Sequence, residues 1–337
     1  MAQPKGKVVT RTIESEVLKN NLVGMDTNRP LLVYEPPKEL TAGKDLPTLY
    51  CLAAWTGAGR AMMQWSCFRE PLNERLDRLI LTEKMPPCLV VCPDLYTDFG
   101  GSQYINSDYM GRHGDHVVEE VIPYVEKEFA AKKGAAHRGV FGISSGGYGA
   151  LRFVMDYDDA FAASACHSGD LGFEILYGSD LTTLANGLAR YKGDVEAYRQ
   201  ACSLRPKMAG QDIHIHMLLG MAGFYSPNKE SGLGYDLPVD LYSCVKRKEV
   251  WDQWLRHDPI ERLRERGDVL ARLKKLSLLY VECGWKDQYQ LHFGARQFDA
   301  LLKEKGVAHQ YTEFEDNHSG LVYRFDTSLP LLAAAVS

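Results

Sequence analysis

A serine flanked by glycines, an acid after an apolar run and a histidine near the C-terminus are the residues of this chain whose types and order could do chemistry. In Val140-Phe141-Gly142-Ile143-Ser144-Ser145-Gly146-Gly147-Tyr148-Gly149-Ala150, the pattern Gly142-x-Ser144-x-Gly146 matches a sharp strand-to-helix turn that exposes a nucleophilic hydroxyl. A chain that turns so tightly has no room for side chains two positions before and after the serine, which explains the glycines. Ser145 is a competing nucleophile, but only Ser144 has glycine at both −2 and +2. The helix that follows offers unsatisfied N–H groups to an oxyanion.

A serine of this kind needs a base and an acid, in the chain order serine, acid, histidine. Leu278-Leu279-Tyr280-Val281-Glu282-Cys283-Gly284-Trp285-Lys286-Asp287 places Asp287 in the loop after an apolar run, and Phe314-Glu315-Asp316-Asn317-His318 places His318 in the loop after the last one. Glu282 is a weaker acid candidate, because strand alternation turns it into the sheet packing. Asp299 reads as a solvent-facing residue in mid-helix, and Asp316 lies too close to His318 in sequence to orient it. His167 has the wrong chain order for a base and reads as pocket wall or core. His214 and His216 alternate as in a strand, with no third ligand near them, so no metal site is expected.

These residues must be held by a regular scaffold. Strands are expected over Val8–Val17, Leu31–Glu35, Thr48–Trp55, Cys88–Pro93, Gly139–Ile143, Ala162–His167, Ser277–Cys283 and Gln310–Phe314. Helices are expected over Asp115–Phe129, Tyr148–Asp156, Leu291–Glu304 and Ser328–Val336. This alternation implies an α/β fold with a mostly parallel sheet covered by helices; turn-rich Glu35-Pro36-Pro37-Lys38 suggests that the sheet opens antiparallel. About 105 residues separate His167 from Ser277, whereas a simple crossover needs only a few tens. Helices expected there are Leu181–Tyr191, Asp194–Cys202, Val250–Arg256 and Pro259–Lys275. The interval reads as a cap (170–275) inserted into one catalytic domain (1–169 and 276–337).

Composition narrows the function classes. The 337 residues are 45% hydrophobic and 25% charged, which argues against disorder. A net charge of −5 argues against nucleic acid as a partner. No window reaches the ~18 apolar residues of a membrane span, and the N-terminus shows no signal-peptide core. The eight cysteines show no C-x-x-C pair, and Cys88 and Cys92 lie ~13 Å apart along a strand, too far for a disulfide. A cytoplasmic protein with free core thiols is expected.

Beyond the serine turn, several stretches carry a resemblance: Leu52-Ala53-Ala54-Trp55-Thr56-Gly57-Ala58-Gly59, Pro93-Asp94-Leu95-Tyr96, Gly100-Gly101-Ser102-Gln103-Tyr104-Ile105-Asn106-Ser107, Cys166-His167-Ser168-Gly169-Asp170 and Asn317-His318-Ser319. With these the chain resembles the putative-esterase branch of the α/β-hydrolases, which holds esterase D, S-formylglutathione hydrolases, feruloyl and enterochelin esterases. The resemblance implies an α/β-hydrolase fold with eight strands, and a triad of Ser144, Asp287 and His318. It also implies oxyanion donors from the backbone of Ser145 and of Trp55 or Thr56, because Ala53-Ala54 stands where a His-Gly pair is common. Gln103, Phe224, Tyr225 and Trp285 are carried over as substrate-binding residues. The expected activity is hydrolysis of a small-molecule carboxylic ester through an acyl-enzyme, with no cofactor and no metal. A thioesterase or an acyltransferase would keep the same triad, and a non-catalytic binding protein on this scaffold is the reading from another class. Oligomeric state is left open.

Overall fold

In the computed structural model, which describes residues 5–41, 43–208 and 210–337, eight strands form one sheet: β1 (Lys7–Glu14), β2 (Asn28–Glu35), β3 (Thr48–Leu52), β4 (Leu89–Pro93), β5 (Arg138–Ile143), β6 (Ala163–His167), β7 (Leu278–Gly284) and β8 (Gln310–Phe314). Their spatial order is β1-β2-β4-β3-β5-β6-β7-β8. β2 pairs antiparallel with β1 and β4, and the remaining pairs are parallel, so only β2 runs against the others. The antiparallel opening is therefore as the turn-rich start suggested.

The central strands β3, β4 and β6 are buried at every position, as strands covered on both faces must be. Alternation sorts their side chains between two cores. Leu49, Cys51, Val90, Phe141 and Tyr280 pack beneath helices α1 (Leu72–Leu81) and α12 (Phe325–Ala335). Tyr50, Leu52, Val91, Val140 and Val281 face the larger core. That core includes α2 (Ile122–Glu128), α3 (Ser145–Asp156) and α11 (Leu291–Glu304). Helix α1 was not anticipated, although Leu72, Leu76, Leu79 and Ile80 supply a buried helical stripe.

Between β6 and β7 the described residues hold α4 (Phe173–Leu176), α5 (Leu181–Ala189), α6 (Val195–Ser203), α7 (Gly210–Tyr225), α8 (Lys248–Leu255), α9 (Pro259–Glu265) and α10 (Gly267–Leu273). Leu184, Phe224 and Trp254 of this interval share one core with the sheet residues, so it has no separate interior. α9 and α10 pack on α3, and α9 also packs on α11, so they belong to the helical layer flanking the sheet.

Two expectations fail here. His214 and His216 lie on α7, not on a strand: two alternating residues are too short a pattern to set a period. His214 faces Asp180 and His216 faces Tyr198. The single helix expected over Pro259–Lys275 is broken at Arg266, which is extended. The helix expected over Asp115–Phe129 contains a π-helical turn, His116–Val121, just before α2. Within that turn Glu120 accepts hydrogen bonds from the backbone of Glu16 and Val17.

The eight cysteines are all free thiols. Among the described residues, no helix is long and apolar enough to cross a membrane.

Candidate active site

Strand β5 ends at Ile143 and α3 begins at Ser145, so Ser144 is the corner between them. Its backbone sits at φ 58°, ψ −127°, a conformation that costs a non-glycine residue of order 1–3 kcal/mol. Its surroundings enforce it. The Ser144 N–H donates to the His167 carbonyl at 2.9 Å, and its own carbonyl accepts from the Tyr148 N–H at 2.9 Å. A Cβ on Gly142 would come within 2.5 Å of the Gly146 backbone, and one on Gly146 would overlap the Leu52 carbonyl. Both glycines are thus required by close backbone approach.

His318 lies in the loop after β8, and Asp287 in the loop after β7. Their side chains meet, Nδ1 to Oδ2, at 2.7 Å, with the Asp287 side chain sealed from solvent. Asp287 Oδ1 accepts the Tyr289 N–H at 2.8 Å, which fixes the carboxylate. The His318 backbone is held by its own N–H, which donates to Gln288 Oε1 at 3.0 Å, and the imidazole by the Tyr289 ring, edge-on at 4.8 Å. A proton on Nδ1 facing a carboxylate leaves Nε2 as the accepting nitrogen.

Ser144 and His318 line the same cavity, of about 450 Å³. Among the described residues Ser144 Oγ has no hydrogen-bond partner; unliganded sites often tighten only when substrate arrives. Ser145 opens α3 with its N–H uncommitted, as the first residue of a helix must. In the loop after β3 the N–H groups of Trp55 and Thr56 are likewise uncommitted, while the Trp55 carbonyl accepts from Gly101 at 2.5 Å and the Ala54 carbonyl from Gly57 at 2.9 Å. Ser145, Trp55 and Thr56 all line the cavity. The Ala54 and Trp55 carbonyls are pinned, and the Trp55 and Thr56 N–H groups stay free.

The four residues carried over as substrate-binding lie outside the cavity wall. Phe224 is buried against Trp55 and His113. Tyr225 is buried among Tyr148, Phe173, Tyr177 and Trp254. Trp285 is exposed under Lys286. Gln103 sits one layer behind the wall, donating to Ser145 Oγ at 2.9 Å and to Asp170 Oδ2 at 3.3 Å. These positions follow from facing, which a motif match does not fix.

The wall also holds Asp170 and Tyr177, neither of them among the residues carried over as site residues. The available signal was the place of Asp170, just past the C-terminal end of β6, the edge where open α/β sheets bind ligands. Tyr177 donates to Asp170 Oδ2 at 2.8 Å. Burial raises the Asp170 carboxyl above its ordinary range, opposed by Tyr177, the nearby His318, Gln103 and Ser145.

The rival residues have other partners. Glu282 is buried, 2.7 Å from His167 Nδ1 and bonded to Tyr280 and Arg324. Burial alone would raise its carboxyl, but hydrogen bonds from His167 and Arg324 outweigh this and bring it down to about 2. Asp299 is not solvent-facing: it is largely buried and holds His309 at 2.9 Å.

The profile of the family described as "Putative esterase" matches residues 23–326. No curated protein sequence matches the chain. Among solved structures, a ferulic acid esterase superposes with TM-score 0.64 at 17% identity, covering 99% of this chain and all 100% of that one. The fluorophosphonate-binding serine hydrolase F of Staphylococcus aureus gives TM-score 0.60 at 18% identity, with 99% of each chain covered. An S-formylglutathione hydrolase of Agrobacterium tumefaciens gives 0.59 at 16%, covering 100% of this chain and 98% of that one. At these identities the likeness is one of fold.

Proposed function

The chain belongs to the putative esterase family, and from that premise we propose that it is a serine carboxylesterase working through an acyl-enzyme. The observation that carries this reading is the strained Ser144 sharing a cavity with a His318 whose Nδ1 is held 2.7 Å from a sealed Asp287. Neutral His318 takes the Ser144 proton at Nε2 as Oγ attacks the ester carbonyl. Asp287 keeps the tautomer and stabilises the imidazolium that forms. The N–H groups of Ser145 and of Trp55 or Thr56 receive the developing oxyanion, where one donor is typically worth ~3 kcal/mol. His318 then protonates the leaving alcohol, and water repeats the sequence to free the acid and restore Ser144. Every step uses protein groups and water.

We assign the covering role to the helices after β6: Leu176, Tyr177, Ile213 and Met217 come from that interval to the cavity wall and would select the acyl or alcohol group. Solved relatives are named for ferulic acid and for S-formylglutathione, so oxygen esters and thioesters both suit the same machinery. Parallel assays of a p-nitrophenyl ester and a thioester, each with and without an alcohol acceptor, separate esterase, thioesterase and acyltransferase.

The primary test is labelling by a fluorophosphonate, located by peptide mass spectrometry. We expect the label on Ser144 and its loss in Ser144→Ala, together with a fall of at least 10³-fold in hydrolysis of p-nitrophenyl acetate. The circular dichroism spectrum should be unchanged. Residual activity of more than a few percent in that variant overturns the assignment of the nucleophile.

A further inference from the structure

Asp170 is the one cavity-wall carboxylate among the described residues, and its hydrogen bonds are lopsided. Tyr177 Oη (2.8 Å), Gln103 Nε2 (3.3 Å) and Ser145 Oγ (3.4 Å) all reach Oδ2. Oδ1 has no hydrogen-bond partner among the described residues, and it is not one of the polar atoms sealed from solvent. No Lys or Arg among the described residues forms an ion pair with Asp170, although it is only 5% exposed.

A purely structural role does not account for this arrangement. A neutral amide could accept the same three bonds without the cost of burying a carboxylate, and a carboxylate offers about four lone-pair sites over its two oxygens. One oxygen is saturated by the protein, and the other is left to the cavity. The same cavity is lined by the apolar side chains of Leu52, Leu176, Ile213, Met217 and Leu291, and on its polar part by Arg69, Gln288 and His318. An ester that fills this space without offering a donor leaves Oδ1 desolvated and unpaired, which is the situation that gives an active site its steepest discrimination.

We propose that Asp170 is a substrate-recognition residue whose Oδ1 accepts a hydrogen bond from a hydroxyl or ammonium group on an otherwise apolar ester. The inference rests on the reading of Ser144 as nucleophile, since Ser145 Oγ ties Asp170 to the neighbouring position. Gln103 acts through Asp170 as a positioning residue: its amide steers Oδ2, and so leaves Oδ1 turned to the cavity.

The test is a matched series of p-nitrophenyl esters whose acyl chains end in methyl, hydroxyl or ammonium over a range of chain lengths. Rates are corrected with the Ser144→Ala protein as blank, and p-nitrophenyl acetate is the common reference. At one chain length, a donor-bearing ester should exceed its methyl counterpart in kcat/KM by at least about tenfold. The hydroxyl and ammonium arms tell which donor is read. In Asp170→Asn, which replaces an acceptor by an amide, the ratio should collapse towards one or invert. A flat series in the wild-type protein, or an unchanged ratio in Asp170→Asn, overturns the inference. Should that variant not fold, the wild-type series decides alone. Turnover of the acetate with a flat series sinks this inference and leaves the esterase reading standing; no turnover of any ester sinks both.

Discussion

Around Ser144 the most consequential contact is the approach of Asp287 to His318 Nδ1, because it decides which imidazole nitrogen is free to accept a proton. Replacing Asp287 by Asn keeps the shape but lets the amide donate to Nδ1, which turns the ring to the wrong tautomer. We expect kcat on p-nitrophenyl acetate to fall on the order of 10⁴-fold in Asp287→Asn, with KM little changed. Steady-state kinetics check this, and a fall of less than tenfold would remove Asp287 from its role. At this scale the serine and its glycines could be read from the sequence, because their constraint is local. Asp170 and Tyr177 could not, because reaching a cavity depends on the facing of a whole loop.

At the scale of elements, the corner between β5 and α3 is set by how closely it passes β3. A side chain on Gly146 meets the Leu52 carbonyl, which belongs to the next strand. Gly146→Ala must therefore push β3 away from the corner, and with it the loop carrying Trp55 and Thr56. We expect a lower melting temperature, by several degrees for a cost of about 1–3 kcal/mol, and near-complete loss of esterase activity. Gly267 provides the contrast: it opens α10 with nothing within 4 Å of the place a methyl group would take, and its φ is not left-handed. Gly267→Ala should be neutral or stabilising, by up to about 1 kcal/mol, as read by the same thermal melts. Equal effects of the two substitutions would contradict the close-approach argument.

For the molecule as a whole, Glu282 joins parts distant in sequence. It binds His167 at the end of β6, Tyr280 on β7 and Arg324 in the turn that follows His318. Its carboxyl is held at about 2 against an ordinary 4.5, so it binds protons less readily in the folded chain than in the unfolded one. The stability this gives, of the order of 3 kcal/mol, is fully present above pH 4.5 and is lost as the pH falls towards about 2. Asp258 works in the opposite sense: burial lifts its carboxyl to about 6 from 3.8, so its contribution grows as the pH falls through that interval. Acid melts should therefore rise as the pH falls from about 6 towards the mid-acid range, where Asp258 takes up its proton, and then drop as the Glu282 contribution is lost towards about 2. Glu282→Gln should flatten the drop and cost about 3–5 kcal/mol near neutral pH; a variant with the wild-type acid profile would exclude this account.

The same scale separates what could be read early from what could not. The buried strands were legible because a strand covered on both faces must be a continuous apolar run, and the glycine-serine corner because its constraint spans only a few residues. The order serine, acid, histidine also lies in the chain itself. The sheet, the corner and the nucleophile candidate are thus written in the order of residues along the chain. Which side chains of the long interval after β6 face the cavity was settled by packing. It put Leu176, Tyr177, Ile213 and Met217 on the wall, buried Phe224 and Tyr225 in the core, and left one oxygen of Asp170 without a partner among the described residues. Those outcomes depend on how helices far apart in sequence pack together, and periodicity carries no information about which neighbour a helix will meet.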